Sequence, residues 1–369
     1  MPLARRRFIV QSLATSAAVA SLSFIRAFGE SIDTEWTSRT LTLPPPEDAD
    51  ENAKTHAPPV ITAVKLHPTA TWAVSGGDDH LLRVWDLASG RVLHTLEGHK
   101  DWVRALAITA TGDKLASAGN DGRILLWDTA EWKSRELAAF PFPFAIAAVD
   151  FSPDGKHLAA VGWSFDVHLF DLATNEGRSL AGPDIPPDGK SHVRGDLRTI
   201  AFSPDGKLLA TGGRSGQVRI WDLSNQTVLT DIPAHKQRVR SLLFSSDSSA
   251  LLSAGEDGVV RLTPLSSGFN GFALPRLPCR IHAIALCGEN QLAVAGSDNR
   301  IHLWNLKTRE AAGVLNQHRG SITALDCAGD TLISAGYDAA LHVWTRRGHV
   351  ADTGAPRNRV SARPTFRLE

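Results

Sequence analysis

Serine, histidine and aspartate recur together along this chain in an order that suits nucleophilic catalysis. One set consists of His99, Ser117 and Asp121, and Trp127 follows six residues later. In acyl transfer a histidine takes the proton of a serine nucleophile while an aspartate orients the imidazole. Two more sets have the same residue types, namely His235 with Ser253 and Asp257, and His318 with Ser334 and Asp338.

The repetition itself argues against a catalytic role for these sets. An active site normally occurs once, exposes its nucleophile and places it beside an oxyanion site. A network that braces a repeated structural unit recurs from unit to unit, because buried polar groups must be paired with one another. We therefore predict that these sets are structural, that the chain has no catalytic residue and that it is not an enzyme.

A short aromatic motif beside these sets divides the chain into units. Its copies are Val84-Trp85-Asp86-Leu87, Leu126-Trp127-Asp128-Thr129, Leu169-Phe170-Asp171-Leu172 and Ile220-Trp221-Asp222-Leu223, with weaker copies Leu303-Trp304-Asn305-Leu306 and Val343-Trp344-Thr345. Counting Thr263 as a degenerate copy, the aromatic positions are 42, 43, 51, 42, 41 and 40 residues apart. A period of about 40–45 residues ending in Trp-Asp is typical of a propeller blade.

Each unit divides into short strands joined by turns. In the second unit, residues 103–108 and 114–118 alternate as strands, residues 119–122 predict a tight hairpin, and residues 123–127 form a third strand. Seven inner strands are expected to begin near Ile61, Val103, Ile146, Leu197, Val239, Ile281 and Ile322. The sequence therefore predicts an all-β fold, a seven-bladed propeller with four-stranded antiparallel blades.

Such a ring must be closed between its last and first units, because blades are stable only when neighbours cover their faces and edges. Residues Glu35–Leu43 alternate in polarity and precede the repeats. We predict that this N-terminal strand is the outer strand of the seventh blade and that a Pro-rich linker follows it. The alternative is that Gly348–Asp352 fills the same position.

With these motifs in register, residues ~35–350 resemble the WD40 repeat family in seven copies. In that family a His, a Ser or Thr, an Asp and the Trp form a buried hydrogen-bonded tetrad within a blade. Two units match the tetrad at every position, at His99, Ser117, Asp121 and Trp127, and at His318, Ser334, Asp338 and Trp344. The resemblance implies that these eight residues are structural.

Family members usually bind partners on the face that carries the loops before the inner strands and the hairpins after the second strands. The residue before the tetrad Asp position is Asp78, Asn120, Trp163, Arg214, Glu256, Ser297 or Tyr337 in successive units. Aromatic residues gathered on one rim are typical of interface hot spots. The candidate partner-binding residues are Trp102, Phe142, Phe144, Trp163, Arg214, Glu256 and Tyr337. Alternatively, Phe142 and Phe144 fold inward and replace the missing tetrad of the third unit.

Composition excludes several other functions. Lys and Arg number 39, as do Asp and Glu, so no basic excess favours nucleic acid. The three cysteines show no haem-attachment or zinc-site spacing, and we predict no cofactor and no metal. Cys287 and Cys327 occupy matching places in neighbouring units, and we expect small buried residues there rather than a bridge.

The N-terminus has the pattern of a targeting segment. Arg5-Arg6-Arg7-Phe8-Ile9 precedes a short apolar run, which ends before Ala27-Phe28-Gly29. This pattern resembles the twin-arginine export signal of bacteria, which implies export of a folded chain. We predict a signal peptide over residues 1–29, a closing strand and linker over 30–60, seven WD40 repeats over 61–345 and a basic tail over 346–369. The protein is then periplasmic or in the cell envelope, and the alternative is the cytoplasm.

The predicted function is a non-catalytic, monomeric scaffold that binds one or more proteins, with no nucleic-acid ligand and no membrane span. The alternatives are an exported propeller enzyme and a sensor of small ligands, either of which would use the central channel. Because propellers host many functions, the fold alone does not separate these possibilities.

Overall fold

The computed structural model describes residues 36–42, 58–137, 145–163, 166–180, 196–265, 271–288 and 290–346. These residues form 28 strands and no helix. The strands pair into seven sheets of four, all with antiparallel neighbours. The predicted all-β fold, a seven-bladed propeller, is therefore confirmed.

Along the chain, a single strand comes first and the blades follow, each from its inner to its outer strand. The first strand is β1 (Trp36–Leu41). Blade one contains β2 (Ile61–Leu66), β3 (Trp72–Gly77), β4 (Leu82–Asp86) and β5 (Val92–Leu96). Blade two contains β6 (Val103–Ile108), β7 (Lys114–Gly119), β8 (Ile124–Asp128) and β9 (Ser134–Glu136). Blade three contains β10 (Ile146–Phe151), β11 (His157–Gly162), β12 (Val167–Asp171) and β13 (Gly177–Leu180).

The remaining blades repeat this order, and the seven inner strands begin at the predicted residues. Blade four contains β14 (Leu197–Phe202), β15 (Leu208–Gly213), β16 (Gln217–Asp222) and β17 (Thr227–Pro233). Blade five contains β18 (Val239–Phe244), β19 (Ala250–Gly255), β20 (Val260–Pro264) and β21 (Phe272–Ala273). Blade six contains β22 (Ile281–Cys287), β23 (Gln291–Gly296), β24 (Ile301–Asn305) and β25 (Glu310–Leu315). Blade seven contains β26 (Ile322–Ala328), β27 (Thr331–Gly336) and β28 (Leu341–Arg346).

The N-terminal strand closes the ring, as predicted. β1 pairs antiparallel with β28 over six residues, from Trp36 opposite Arg346 to Leu41 opposite Leu341, and becomes the outer strand of blade seven. The alternative segment, Gly348–Asp352, lies outside the described residues, and β1 occupies the position it would have filled. β28 also extends to Arg346, the first residue of the predicted tail.

The hydrophobic core consists of one cluster between each pair of neighbouring blades. Trp127 of blade two, for example, packs with Val74 and Val84 of blade one, and Trp85 of blade one packs with Val343 of blade seven. The other clusters join the remaining neighbours in the same way. Burying each of these large side chains contributes about 1.5–3 kcal/mol, so a blade depends on its neighbours for most of its apolar burial.

Every inner strand contains a β-bulge at its second residue. In blade two, Val103 lies opposite Gly119 and Ala105 lies opposite Ala118, so Arg104 has no partner across the ladder. The seven residues in this position are Thr62, Arg104, Ala147, Arg198, Arg240, His282 and Thr323. Bulges redirect the side chain of the extra residue, and they do so here at the same end of all seven inner strands.

A disulfide between Cys287 and Cys327 corrects the sequence prediction that these residues are separate and buried. It joins the inner strands β22 and β26 of neighbouring blades, with their Cα atoms 5.5 Å apart. Cys287 is buried, whereas Cys327 is partly exposed. The physical reason is that matching residues on adjacent inner strands lie side by side at the centre of a propeller, at a distance that suits a disulfide.

Reduction of this disulfide should lower the free energy of unfolding by about 2–4 kcal/mol, because the cross-link closes a long segment of the unfolded chain. Thermal unfolding of the purified protein with and without dithiothreitol measures the effect. The double variant C287S/C327S serves as the control, since dithiothreitol should leave its midpoint unchanged. Three titratable thiols in the denatured, unreduced wild type, instead of the one from Cys279, would contradict the bridge.

Candidate partner-binding site

The serine of the fully matched set in blade two cannot reach a substrate. Trp127 Nε1 donates to Ser117 Oγ at 2.9 Å, and Ser117 Oγ lies 2.8 Å from His99 Nε2. His99 Nδ1 lies 2.9 Å from Asp121 Oδ2, and it must donate there because a carboxylate only accepts. Ser117 is fully buried. This geometry braces the blade and offers no exposed nucleophile.

Electrostatics support a structural role for Asp121. Burial opposes its ionisation, but hydrogen bonds from His99 and from the Lys100 backbone N–H outweigh that effect and lower the pKa of the Asp121 carboxyl. The Arg123 N–H also donates to this carboxylate. The ionised aspartate therefore ties the loop before the inner strand to the hairpin between β7 and β8.

Other blades keep all or part of this network. In blade seven, His318 contacts Asp338 at 2.9 Å and Ser334 at 2.7 Å, and Trp344 donates to Ser334. Further hydrogen bonds of the same type are His235 to Asp257 and to Ser253 in blade five, Trp85 to Ser75 in blade one, and Trp221 to Thr211 in blade four. The bracing network is thus spread around the ring.

The acidic residues of the inner strands also connect blades. Asp326 of blade seven contacts Lys65 Nζ at 3.0 Å and accepts from the Leu66 N–H of blade one. Asp150 of blade three accepts from the Phe202 N–H of blade four at 2.9 Å. Both carboxylates lie on inner strands, and both are engaged in bonds between blades.

Arginines from the bulge position gather at one mouth of the channel. Arg104, Arg198 and Arg240 come from blades two, four and five, and Arg238 lies two residues before Arg240. Burial lowers the pKa of Arg104, and the charge of Arg198 lowers it further. Burial also lowers the pKa of Arg240, against the attraction of Glu256, and the charges of Arg198 and Arg238 add to the lowering. Arg198 therefore repels both Arg104 and Arg240, and Arg238 repels Arg240.

Two carboxylates compensate these four cations only in part. Asp196 pairs with Arg198 and lies 3.7 Å from Arg238. Glu256 lies 3.0 Å from Arg238 and 3.9 Å from Arg240. Arg104 instead donates from Nε to the neutral Asn120 side chain at 2.9 Å. We call these six charged residues the mouth cluster; among them positive charges exceed negative charges by two, and the neighbouring Asp101 attracts Arg104 and offsets part of this excess.

The bulge position of the next blade holds a histidine, which adds no charge to the mouth. His282 occupies the bulge position of blade six, and its Nδ1 donates to the Ile322 carbonyl of blade seven at 3.1 Å. Burial and the neighbouring Arg240 lower the pKa of His282. At neutral pH the imidazole is therefore uncharged, and the positive potential of the mouth comes from the arginines.

Aromatic side chains flank the mouth cluster. Arg104 stacks over Trp102 with 4.7 Å from its guanidinium carbon to the ring centroid, and Arg198 lies over Trp163 at 5.4 Å. Trp163 is 52% exposed and Tyr337 is 54% exposed. Tyr337 also lies close enough to Arg104 and Arg240 to influence the pKa values of both. The rim thus combines large apolar rings with excess positive charge.

The predicted partner-binding residues have different positions in the structure. Trp163 and Tyr337 are exposed on the rim, and Trp102 is half-buried beneath Arg104. Glu256 is half-buried in the mouth cluster, and Arg214 is exposed at its hairpin. Phe142 and Phe144 lie outside the described residues.

Sequence reasoning missed the arginines of the mouth cluster. Arg104, Arg198 and Arg240 are each the second residue of a predicted inner strand, so their common register was visible. What was not visible is that a bulge at this residue turns the side chains toward one another, because bulges depend on the paired strand.

Most of the repeat region also matches a known protein family. The family described as "WD domain, G-beta repeat" matches residues 52–86, 90–128, 138–171, 188–222, 226–263 and 309–345, more than half of the chain.

The described part of the molecule contains no helix with the length and apolar character needed to cross a bilayer.

Individual relatives match shorter segments. The small ribosomal subunit protein RACK1y of Oryza sativa subsp. japonica is 32% identical over 160 residues, which are 43% of this chain and 46% of that protein. MST50-interacting protein 11 of Pyricularia oryzae is 30% identical over 42% of this chain and 48% of its own length. Human striatin-4 is 27% identical over 50% of this chain and 31% of its own length. The chain thus spans less than half the length of each of these relatives.

Substitution of the buried aspartate in blade two should test the bracing network. We expect Asp121→Ala to lower the free energy of unfolding by about 1–3 kcal/mol, because His99 and two backbone N–H groups lose their acceptor. Chemical denaturation measures this change. Ser215→Ala is the matched control, since Ser215 holds the same position in blade four and, among the described residues, its hydroxyl accepts a hydrogen bond from the nearby Gln217 N–H rather than from a histidine, so the expected change is below about 0.5 kcal/mol. Equal midpoints for the wild type and Asp121→Ala would contradict the bracing role.

Proposed function

This chain belongs to the WD40 repeat family, and from that premise we propose that it is a non-catalytic scaffold whose protein partner binds at the arginine-rich mouth. The observation that carries the proposal is the exposure of Trp163 and Tyr337 on the rim of the mouth cluster. A soluble domain buries most of its large aromatic side chains, so an exposed pair beside desolvated arginines needs a further reason. Trp, Tyr and Arg are also the residues that dominate binding energy at protein interfaces.

The charge of the mouth cluster defines the partner's chemistry. Four arginines face two carboxylates, and burial of Arg104 and Arg240 weakens screening by water. A partner that places Asp or Glu side chains over the mouth would relieve the repulsion between the arginines. Complementary charge of this kind raises the association rate and excludes partners of the wrong sign.

The relatives support a role in assemblies without naming the partner. One is named as a small ribosomal subunit protein and another as an MST50-interacting protein. Because the matched segments span less than half of those proteins, their own partners are not transferred to this chain. What supports the scaffold here is the rim and its charge.

We further propose that the protein is exported from a bacterial cytoplasm and works in the periplasm or cell envelope. The support is the Arg5-Arg6 pair with the short apolar run behind it, which lies outside the described residues. The Cys287–Cys327 disulfide adds to this support, because disulfides persist mainly in oxidising compartments. A twin-arginine signal would carry the chain across already folded, so the bridge could form after transport.

Loss of one exposed indole should abolish partner capture if the rim is the docking surface. We expect Trp163→Ala to lose, after crosslinking and purification from the native host, a specific protein that the wild type retains. Removing such an anchor costs roughly 2 kcal/mol or more. Leu229→Ala is the matched control, because Leu229 is 59% exposed on the outer strand of blade four. A partner that both variants retain equally would place the interface elsewhere.

Binding at the mouth should also depend on salt. For the captured partner, we expect Arg104→Gln/Arg240→Gln to weaken binding and to flatten its dependence on salt concentration, since the double variant removes two positive charges from the mouth. Arg135→Gln/Arg178→Gln is the control, with the same change in net charge on exposed outer-strand residues. Titrations between low and high salt measure both. The same salt dependence in the wild type and in the mouth variant would contradict charge recognition, and competition by inorganic phosphate alone would indicate a small-anion site.

A further inference from the structure

Two clusters in the described residues bring metal-ligating side chains together. In each, one ligand atom from each of three residues lies within 4.8 Å of the other two. The clusters are Cys279 with Asp298 and His302 in blade six, and His318 with Asp338 and His342 in blade seven. Their different hydrogen bonding decides which of them could accept an ion.

The cluster of blade seven is already used by its tetrad. Both ring nitrogens of His318 are engaged, with Asp338 at 2.9 Å and with Ser334 at 2.7 Å. His342 Nδ1 lies 2.9 Å from Thr40 Oγ1 on the closing strand. An ion could bind here only by breaking the network that braces the blade, so this cluster is structural.

Blade six has lost that network. Leu277 and Val294 stand where blade two has His99 and Ser117, so the tetrad aspartate and tryptophan remain, as Asp298 and Trp304, without the histidine and serine that would link them. The Asp298 carboxylate lies 2.7 Å from His302 Nε2 and also accepts a hydrogen bond from the Cys279 thiol. Cys279 is 8% exposed and His302 is 2% exposed. A thiol, an imidazole and a carboxylate thus converge at the position of the missing tetrad.

These three residues do not suit nucleophilic catalysis. A cysteine nucleophile needs a histidine base or a positive charge beside it, but here His302 Nε2 is engaged by the Asp298 carboxylate at 2.7 Å and cannot act as that base. Burial, and then the Asp298 carboxylate, raise the pKa of the Cys279 thiol to about 12. At neutral pH the sulfur is protonated and a poor nucleophile.

We propose that Cys279, Asp298 and His302 form a binding site for a zinc ion. Their donor atoms are Sγ, a carboxylate oxygen and Nε2, a combination that zinc accepts at about 2.0–2.3 Å from each ligand. Tetrahedral geometry at those lengths places the ligand atoms roughly 3.3–3.8 Å apart, so side-chain movements of about 1 Å bring the three into place. When the ion binds, the thiol loses one proton to solvent, and the proton that His302 Nε2 donates to the Asp298 carboxylate shifts to Nδ1, so that Nε2 can bind the ion.

The ion would connect elements that the hydrogen-bonded tetrad connects in other blades. Cys279 lies in the loop before β22, Asp298 in the hairpin after β23, and His302 within β24. The side chain of Asp298 is 22% exposed, which leaves a path for the ion and room for water as the fourth ligand. Zinc thus takes over the bracing role in a blade that lacks the tetrad, and this inference does not depend on the proposed docking face.

The test uses the purified full chain after treatment with a chelator. Addition of zinc chloride should raise the thermal midpoint by at least about 3 °C, since only the folded state holds the three ligands together. Cobalt chloride should produce the visible absorption of a tetrahedral site together with a thiolate-to-cobalt charge-transfer band. Metal analysis after removal of unbound zinc should show one equivalent per chain.

Matched variants separate this site from adventitious binding. Cys279→Ser and His302→Leu should each lower zinc affinity by at least about tenfold, and Cys279→Ser should remove the charge-transfer band. Leu is chosen because Leu125 has the same register in blade two. His342→Leu removes the equivalent residue of blade seven and should retain both signals. The proposal is overturned if chelator-treated wild type binds no zinc, if Cys279→Ser binds it as tightly as wild type, or if His342→Leu abolishes binding.

Discussion

The pairing of β1 with β28 is the interaction on which the rest of the molecule depends. Each blade is a four-stranded sheet whose faces are covered only by its neighbours, so a ring with one gap exposes two apolar faces. Six residue pairs between Trp36 and Leu41 fill that gap from the opposite end of the repeats. Arg39 adds hydrogen bonds from the closing strand to the carbonyls of Leu87 and Ala88 in blade one. Closure thereby fixes the inner strands around a common channel.

Ring closure brings the β-bulges of the seven inner strands together at one mouth of the channel. A bulge at the second residue of one inner strand would redirect a single side chain, but seven bulges in the same register redirect seven side chains at one mouth. Thr323 and His282 use this position to bond to the neighbouring inner strand. Arg104, Arg198 and Arg240 occupy the same bulge position, and their guanidinium groups make the mouth positively charged. The bulge position of the repeat therefore provides both the hydrogen bonds between neighbouring inner strands and the charged groups of the mouth.

Sequence reasoning succeeded where the signal lies within one unit. The starts of the inner strands follow from local alternation, and the exposure of Trp163 and Tyr337 follows from their place at hairpins that have no core to fill. It failed where two units must meet. Cys287 and Cys327 look unrelated until adjacent inner strands lie side by side. Within one blade, Cys279 and His302 are also separated along the chain, and the loop and strand that carry them come together only in the folded blade.

The net charge of the chain is balanced, but the fold affects its carboxylates and its arginines differently. Tetrad carboxylates such as Asp121 and Asp338 have lowered pKa values because the fold surrounds them with donors. The pKa values of Arg104 and Arg240 are also lowered, but for these cations the direction means that the folded state disfavours their charge. A bound carboxylate would remove that penalty, since an opposite charge favours the ionised arginine. The fold thus stabilises the charge of its tetrad carboxylates, whereas burial disfavours the charge of Arg104 and Arg240.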